Sequence, residues 1–586
     1  MQLISHPATE ETLQKVAAAL EAANSLKAAE LAGTTGAAIY DSFYAANVTP
    51  ENIDDMFVSW WHGADDGNYT KTQLLARWFN LLQSDKTFGV KFYDFATSQT
   101  TEGEFVEDSK ALGAAKPSTN TVVGADPYCK QFAFWTVECE YEIDTNGEIE
   151  IKSVDKVDGT FTRAGTNGMV GVAQKSAWMS LVDDGVNWWK YYRTSRKAGY
   201  FPLPECVAPD GTIRAFMVHA KYMGGLDAAG KPTSATGLAP LNYSHNSQIA
   251  EWRKRGANYA GISICDIAFR IHMFQLKYGK KGNSGTLEGC TSYNFQYKAA
   301  AAETGVTRVL LTEEQANNLL VGSSVIVGDV GSGTSTDRGT ASMYKLAKNV
   351  RIKSIVSVTV SGTVYKAVNL DTDTTFDTTT DTYISTMPWW SGSCDDVQGV
   401  DGSPTSCTNG KEPFIIQGLE SQPGAYAVVA DIIDTLSVDT DANTMTIAPA
   451  TVRLAKNIAQ SKSANYVDTD KPLTVPKPAS WAWHYIGDLA ISKAHPEFTT
   501  PSIIDNGASS GNGYKSAVVL PASGGSYGWL SWGDLNDCSG CGLACAHLYG
   551  GLGYANWYIL AGAPGSAANR GEWAGLPLRS ARTEGR

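Results

Sequence analysis

The sequence contains no apolar run near the ~20 residues that cross a bilayer as a helix, so no such span is expected. Its opening stretch, MQLISHPATEETLQ, has neither a basic n-region nor an apolar h-region, and predicts no secretory leader. Basic stripes are missing too. The 47 Lys and Arg are dispersed among 60 Asp and Glu, and the formal net charge is −13. A polyanion is repelled on average, which argues against a nucleic-acid partner. Cysteine is sparse: ten residues, at 129, 139, 206, 265, 290, 394, 407, 538, 541 and 545, too dilute for a disulfide scaffold. Cys394 and Cys407 flank a Gly/Ser/Asp-rich loop and form the one candidate bridge.

Catalytic signatures are also missing. There is no G-x-S-x-G, P-loop or H-E-x-x-H, and GSGTST near residue 331 fails G-x-G-x-x-G at its last position. Cys538-x2-Cys541-x3-Cys545 has no second CxxC partner. With His547 as a fourth ligand it offers a zinc or iron–sulfur alternative, but His547 is read otherwise below and no metal is expected. The carboxylate pairs Asp183-Asp184 and Asp395-Asp396 are ordinary in an acidic chain. Calcium held by Asp395 and Asp396 beside the GVDGS turn is a further cofactor alternative, and the Thr/Asp-rich run near 370–382 lacks the EF-hand spacing. The expectation is that the chain is not an enzyme.

Aromatics and glycine are abundant: 16 Trp, 26 Tyr, 18 Phe and 57 Gly among 586 residues. That length suits three or four domains of about 150 residues each. Residues 10–32 read as a helix, capped by Thr9 and stopped at Gly33, with Leu13, Val16, Leu20 and Ala23 on a short a/d seam that breaks at Lys27. More helix follows to about residue 110, including Thr70–Gln83, with turn chemistry in SWWHGADDGNYT. Residues 113–128 read as a linker. The alternating stretch around Asn146-Gly147 predicts a hairpin. Helices are expected near 246–257 and 264–278, the second stopped by Gly279, with His272 a structural histidine. Residues 303–384 read as a small β insertion, and the region from 385 as irregular, short, Gly-punctuated strands. The fold class is therefore multidomain α+β: an N-terminal helical region at 1–115, a β-rich spacer at 116–198, and a C-terminal domain at 199–302 plus 385–586 around the insertion.

Residues 527–558 carry the functional signal. Seven of these 32 positions are Trp or Tyr and seven are Gly, and no Lys, Arg or Glu occurs between Ser516 and Asn569. A surface serving only solubility carries interspersed charge. Tyr, Trp and small polar residues without charge are the composition of an adaptable binding surface or of a tightly turned aromatic core.

The frame GLACAHLYGGLGYANWYIL, with Gly542, Leu543, Ala544 and Cys545 followed by Asn556-Trp557, resembles the variable region of proteins diversified by retroelements, among them phage major tropism determinants. In that family reverse transcription is error-prone opposite template adenines, so Asn codons scatter to Tyr, His, Asp, Gly and Ser. The resemblance implies that Asp537, His547, Tyr549, Gly550, Tyr554 and Tyr558 are exchangeable contact positions. Tyr527, Trp529, Trp532 and Ser539 would lie beside them. Leu548, Leu552, Ala555 and Trp557 would be fixed core positions in a period-2 arrangement.

The resemblance also implies a C-type-lectin domain of the formylglycine-generating-enzyme-like branch. The paired-cysteine copper site of that branch's enzymes is not matched here. By the same resemblance the chain is a virion protein of the tail tip or fibre. It would be a homo-oligomer with a trimer favoured, docked to other tail proteins and bound to a host bacterial surface receptor, protein or glycan. The alternatives are a diversified binding protein on a bacterial surface, a glycan-acting tail enzyme, and a purely structural tail protein. The 21 residues after ILAGAPG depart from the family, whose members often end near that point.

Overall fold

The structure, a computed structural model, describes residues 36–118, 122–330, 335–395, 408–492 and 499–573. The helix expected over 10–32, Cys407, Asp396 and most of the GSGTST stretch lie outside these residues. The chain is an α+β protein with N-terminal helices and a β-rich middle and C-terminal part.

Helices α1 (Gly36–Asn47), α2 (Ile53–Ala64) and α3 (Lys71–Leu81) open the described chain. Thr70 caps α3 with a full capping box, its side chain accepting from the Gln73 amide while Gln73 reaches back. The SWWHGA half of the supposed turn belongs to α2, because Phe57, Trp60 and Trp61 need one helical face to reach the core. Phe57 meets Trp78 at 5.3 Å and Trp135 at 5.2 Å between ring centroids, and Phe79 stacks on Phe216 at 5.7 Å. Trp135 and Phe216 belong to a four-stranded sheet, or stand beside it; its members are Thr136–Ile143, Ile149–Val154, Met169–Lys175 and Phe216–Ala220. The predicted hairpin is here, with Ile143 opposite Ile149 and Gly147 at φ 88° in the turn.

The expected domain borders at 115 and 198 fall inside hydrogen-bonded sheets. Strands Phe88–Tyr93 and Glu104–Glu107 join Trp178–Asp183, Asn187–Arg193 and Phe201–Pro202 in one five-stranded sheet. Residues 88–93 and 104–107 are thus strand where helix was expected, and alternate side chains such as Phe88, Val90 and Phe92 are buried. The supposed linker is packed as well: Tyr128 is buried, Lys116 bridges Ala125, and Asp126 pairs with Lys277 at 2.6 Å.

Helices α4 (His245–Trp252) and α5 (Ile264–Tyr278) follow, and Gly279 ends α5 in the left-handed conformation at φ 65°. Every side chain of α5 is buried, so it runs through the main core rather than along it. Its polar groups are paired: Asp266 with His219 at 2.7 Å, Lys277 with Asp126, and His272 with Lys190 at 2.7 Å.

Residues 296–387 form a six-stranded antiparallel sheet with its own core of Val309, Leu311, Val325, Val327, Ile352 and Val368. Beyond it the strands are longer and more regular than expected. A ten-stranded sheet runs through 444–451, 426–439, 525–532, 542–547, 517–520 and 482–491 in spatial order. Tyr426–Asp439 is the longest of these at 14 residues. Residues 566–573 pack on this body: Arg570 pairs with Asp431 at 2.8 Å, both buried.

Candidate functional site

The strand Gly542–His547 lies between Gly525–Trp532 and Ala517–Leu520, and all six of its residues are buried. Burial on both faces explains its small, apolar GLACA sequence. The chain leaves the sheet at Leu548 and returns at Ile559–Ala561, which pairs in parallel with Tyr426–Val428. Residues 548–558 between these points form a loop with no strand, so the expected in–out alternation does not operate there.

The loop is tied down along its length. The Leu548 amide donates to the Val519 carbonyl at 2.9 Å, Tyr527 bridges Gly551, and the Asn246 amide donates to the Leu552 carbonyl at 3.0 Å. The Asn242 side chain donates to the Trp557 carbonyl at 2.7 Å, and the Tyr426 amide to the Tyr558 carbonyl at 2.8 Å. Asn556 accepts from the Trp557 amide at 2.8 Å. These bonds fix the backbone while leaving side chains free to differ.

Of the predicted contact residues, Tyr549 is 45% exposed and Tyr554 and Tyr558 are half-buried. Their hydroxyls are hydrogen-bonded to each other. Trp481, at 53% exposure, meets Tyr549 edge to face at 6.1 Å. His547 joins Tyr549 at 6.0 Å to Tyr426 at 4.8 Å, and Tyr426 continues to Tyr558 at 6.2 Å. An aromatic series therefore runs from Trp481 across the loop to Tyr558.

Five predicted residues are buried. Tyr527, Trp529 and Trp532 are buried because their strand is interior to the sheet. Trp532 is wholly enclosed, with the Arg270 guanidinium 5.6 Å from its ring. His547 is 9% exposed, and burial pushes its pKa down to about 4, so it is neutral at pH 7. Gly550 is buried against Tyr554: a Cβ there would lie 2.4 Å from the ring, so this position does not vary freely. Of Ser539 only the backbone, in the short helix Cys538–Gly540, is described. The expected core residues divide as well. Leu548 is buried and Leu552 and Trp557 half-buried, whereas Ala555 is exposed, since the loop lacks strand periodicity.

Asp537 is half-buried and accepts from the Tyr426 hydroxyl and from the Asp534 amide at 3.1 Å. Burial first, and then the nearby Asp537 carboxylate, raise the pKa of Asp534; burial also raises that of Asp537. The pair holds a proton more readily than free carboxylates do. Cys541 and Cys545 lie near them, buried, their thiols pushed well above the ordinary range by burial. Cys538 is exposed, and no cluster of three metal-ligating groups occurs among the described residues. Asp395 pairs with Lys221 at 3.3 Å and accepts from the Tyr222 hydroxyl, while Asp396 lies outside the described residues. Cys394 is buried.

Sequence reasoning missed two contributors. Trp481 stands apart from the Gly-rich segment and was unmarked except by the aromatic run SWAWHY. Arg338 comes from the inserted sheet, with its guanidinium 5.0 Å from the Trp557 ring. Trp557 also packs among Ile326, Met343 and Met387 of that unit. The insertion thus buttresses the loop, which nothing local in either segment announces.

No protein-family model matches the chain, and the curated proteins contain no significant match to it.

Proposed function

We propose that the chain is a receptor-binding protein of a phage tail, and that loop 548–558 with Trp481 is its contact face for a host bacterial surface receptor. The observation carrying this reading is the arrangement of Tyr549, Tyr554 and Tyr558. All three have accessible surface on one charge-free loop whose backbone is clamped to an interior strand. Tyr and Trp offer large contact area with few torsions to freeze, and a clamped backbone lets such side chains be exchanged without refolding the sheet.

In this proposal the fold is a C-type-lectin-like display domain diversified by a retroelement, the N-terminal part docks to other tail proteins, and a homotrimer raises modest single-site affinity by avidity. The receptor is a protein or a glycan. A glycan-cleaving role draws less support, because Asp537 is engaged by Tyr426 and by the Asp534 amide, and the neighbouring Asp534 carboxylate is buried and accepts from the Asn536 amide at 2.7 Å.

Two measurements test the reading. DNA flanking the gene is expected to hold a near-copy of its 3′ end differing almost only at adenines. Purified protein is expected to adsorb to host cells and to lose adsorption on Tyr549→Ala with Trp481→Ala. Adsorption unchanged in the double variant would overturn the assignment of the face.

A further inference from the structure

A cavity of about 840 Å³ lies away from the display loop, between the inner face of the five-stranded sheet, α5 and the hairpin formed by 482–491 and 499–504. Antiparallel register sets Leu181 opposite Lys190 and Asp183 opposite Trp188, so these four share the sheet face that lines it. Ile271 and Gln275 of α5 complete one wall, with Phe201 and Tyr514 nearby. The volume is in the range that encloses a small organic ligand.

Its floor holds an unusual lysine. Lys190 is 1% exposed, and among the described residues no carboxylate pairs with it. Its Nζ lies 2.7 Å from His272 Nδ1 and donates to the Gln275 side-chain oxygen. Both partners are neutral groups: burial, then the neighbouring Lys190, keep His272 unprotonated. Burial likewise depresses the Lys190 pKa, with no acid to offset it. A buried ammonium without a counter-charge is costly. The other buried lysine beside the cavity is different, since Lys281 is matched by Asp488 at 2.6 Å.

The remaining charges are graded by depth. Asp183 is exposed, and Asp94 and Lys471 are half-buried, so they lie toward solvent, while Lys190 is enclosed. Leu181, Trp188, Phe201 and Ile271 give the space between these levels an apolar lining.

We propose that this cavity is a second binding site, for an amphiphilic anion: one acidic head seated on Lys190 and an apolar or aromatic body against Trp188, Leu181 and Ile271. The anion supplies the charge that Lys190 lacks, and the apolar walls exclude the water that would weaken the pair. The site is independent of the display loop and of the receptor-binding reading.

The experiment uses the full chain with two fluorescent probes, the anion 1-anilinonaphthalene-8-sulfonate and its uncharged relative N-phenyl-1-naphthylamine. Saturable 1:1 binding of the anion is expected. Lys190→Met is expected to weaken the anion at least tenfold and the neutral probe less than twofold, while Lys190→Arg keeps anion binding within threefold. Leu181→Trp, which fills the space and leaves Lys190 in place, is expected to weaken both probes and serves as the test if Lys190→Met does not fold by circular dichroism. Absence of saturable anion binding, equal anion affinity in Lys190→Met, or indifference to Leu181→Trp would overturn the proposal.

Discussion

Trp481 and Tyr549 meet edge to face with ring centroids 6.1 Å apart, and they are among the most exposed large side chains of the described residues. They come from strands with one strand, Ala517–Leu520, between them: one residue lies just before the strand beginning at Ala482 and one just after the strand ending at His547. Exposed aromatic pairs contribute little to folding and much to contact with a partner. Tyr549→Ala and Trp481→Ala are therefore expected to change unfolding free energy by no more than about 0.5 kcal/mol, while host-cell adsorption falls at least tenfold. Thermal melts beside adsorption assays check both halves. A large fall in melting temperature would place these rings in the scaffold.

Trp532 makes the opposite case. It is fully enclosed, so Trp532→Ala should cost about 3–5 kcal/mol through lost burial and the cavity left behind. Denaturant unfolding followed by far-UV circular dichroism reads this, with adsorption measured on the fraction that stays folded. Retention of normal stability would show that the strand repacks.

Asp434 has a distinct pH signature. It is fully buried, its carboxylate oxygens have no hydrogen-bond partner among the described residues, and burial pushes its pKa up to about 8. In the unfolded chain the group titrates near 4. Between those values the folded protein keeps a proton that the unfolded chain releases, so stability from this group is intact below about pH 4 and is lost as pH rises toward 8. The slope for one proton is at most about 1.4 kcal/mol per pH unit. Asp434→Asn is expected to flatten the decline and to raise stability most at pH 8. An unchanged pH profile would mean that Asp434 is ionised in the native state.

Thiol accessibility separates the clustered cysteines. Cys538 is exposed, whereas Cys541 and Cys545 are buried with pKa values pushed upward. Peptide mapping after brief iodoacetamide treatment of the native protein is expected to find Cys538 labelled and the other two unlabelled until denaturant is added. Simultaneous labelling of all three would contradict the buried strand Gly542–His547.

Arg338 and Trp557 couple the insertion to the loop. A double-mutant cycle with Arg338→Ala and Trp557→Ala is expected to give an interaction of about 0.5–2 kcal/mol, as for a desolvated cation over an indole. Additive single effects would mean that the two units touch without supporting each other.

Local signals were the legible part of this sequence. The helical stretch from Thr70, the Asn146-Gly147 hairpin and the Gly279 stop are each written within a few residues, and each forms as its local chemistry dictates. Strand pairing between distant segments was not legible. Phe88–Tyr93 pairs with Asn187–Arg193, and neither segment names the other, so the borders at 115 and 198 were drawn through a sheet. At the candidate site, the Tyr and Trp content of 527–558 does not tell which rings face out. Trp529 and Tyr549 are alike in composition and differ only in whether the chain at that point is an interior strand or a loop. Gly550 shows a further limit, since its value lies in the Tyr554 ring against it.

The return of the chain after the display loop has a mechanical meaning. Ile559–Ala561 runs parallel to Tyr426–Val428, and directly afterwards Ala563 enters the N-terminal hydrophobic cluster while the Pro564 carbonyl accepts from Tyr141. A tug on anything held by Tyr549 or Tyr558 therefore loads hydrogen bonds lengthwise, in shear, and passes into the helical end without crossing a flexible joint. Under the receptor-contact role proposed above, such a path would resist peeling better than a loop hung from a single edge hairpin.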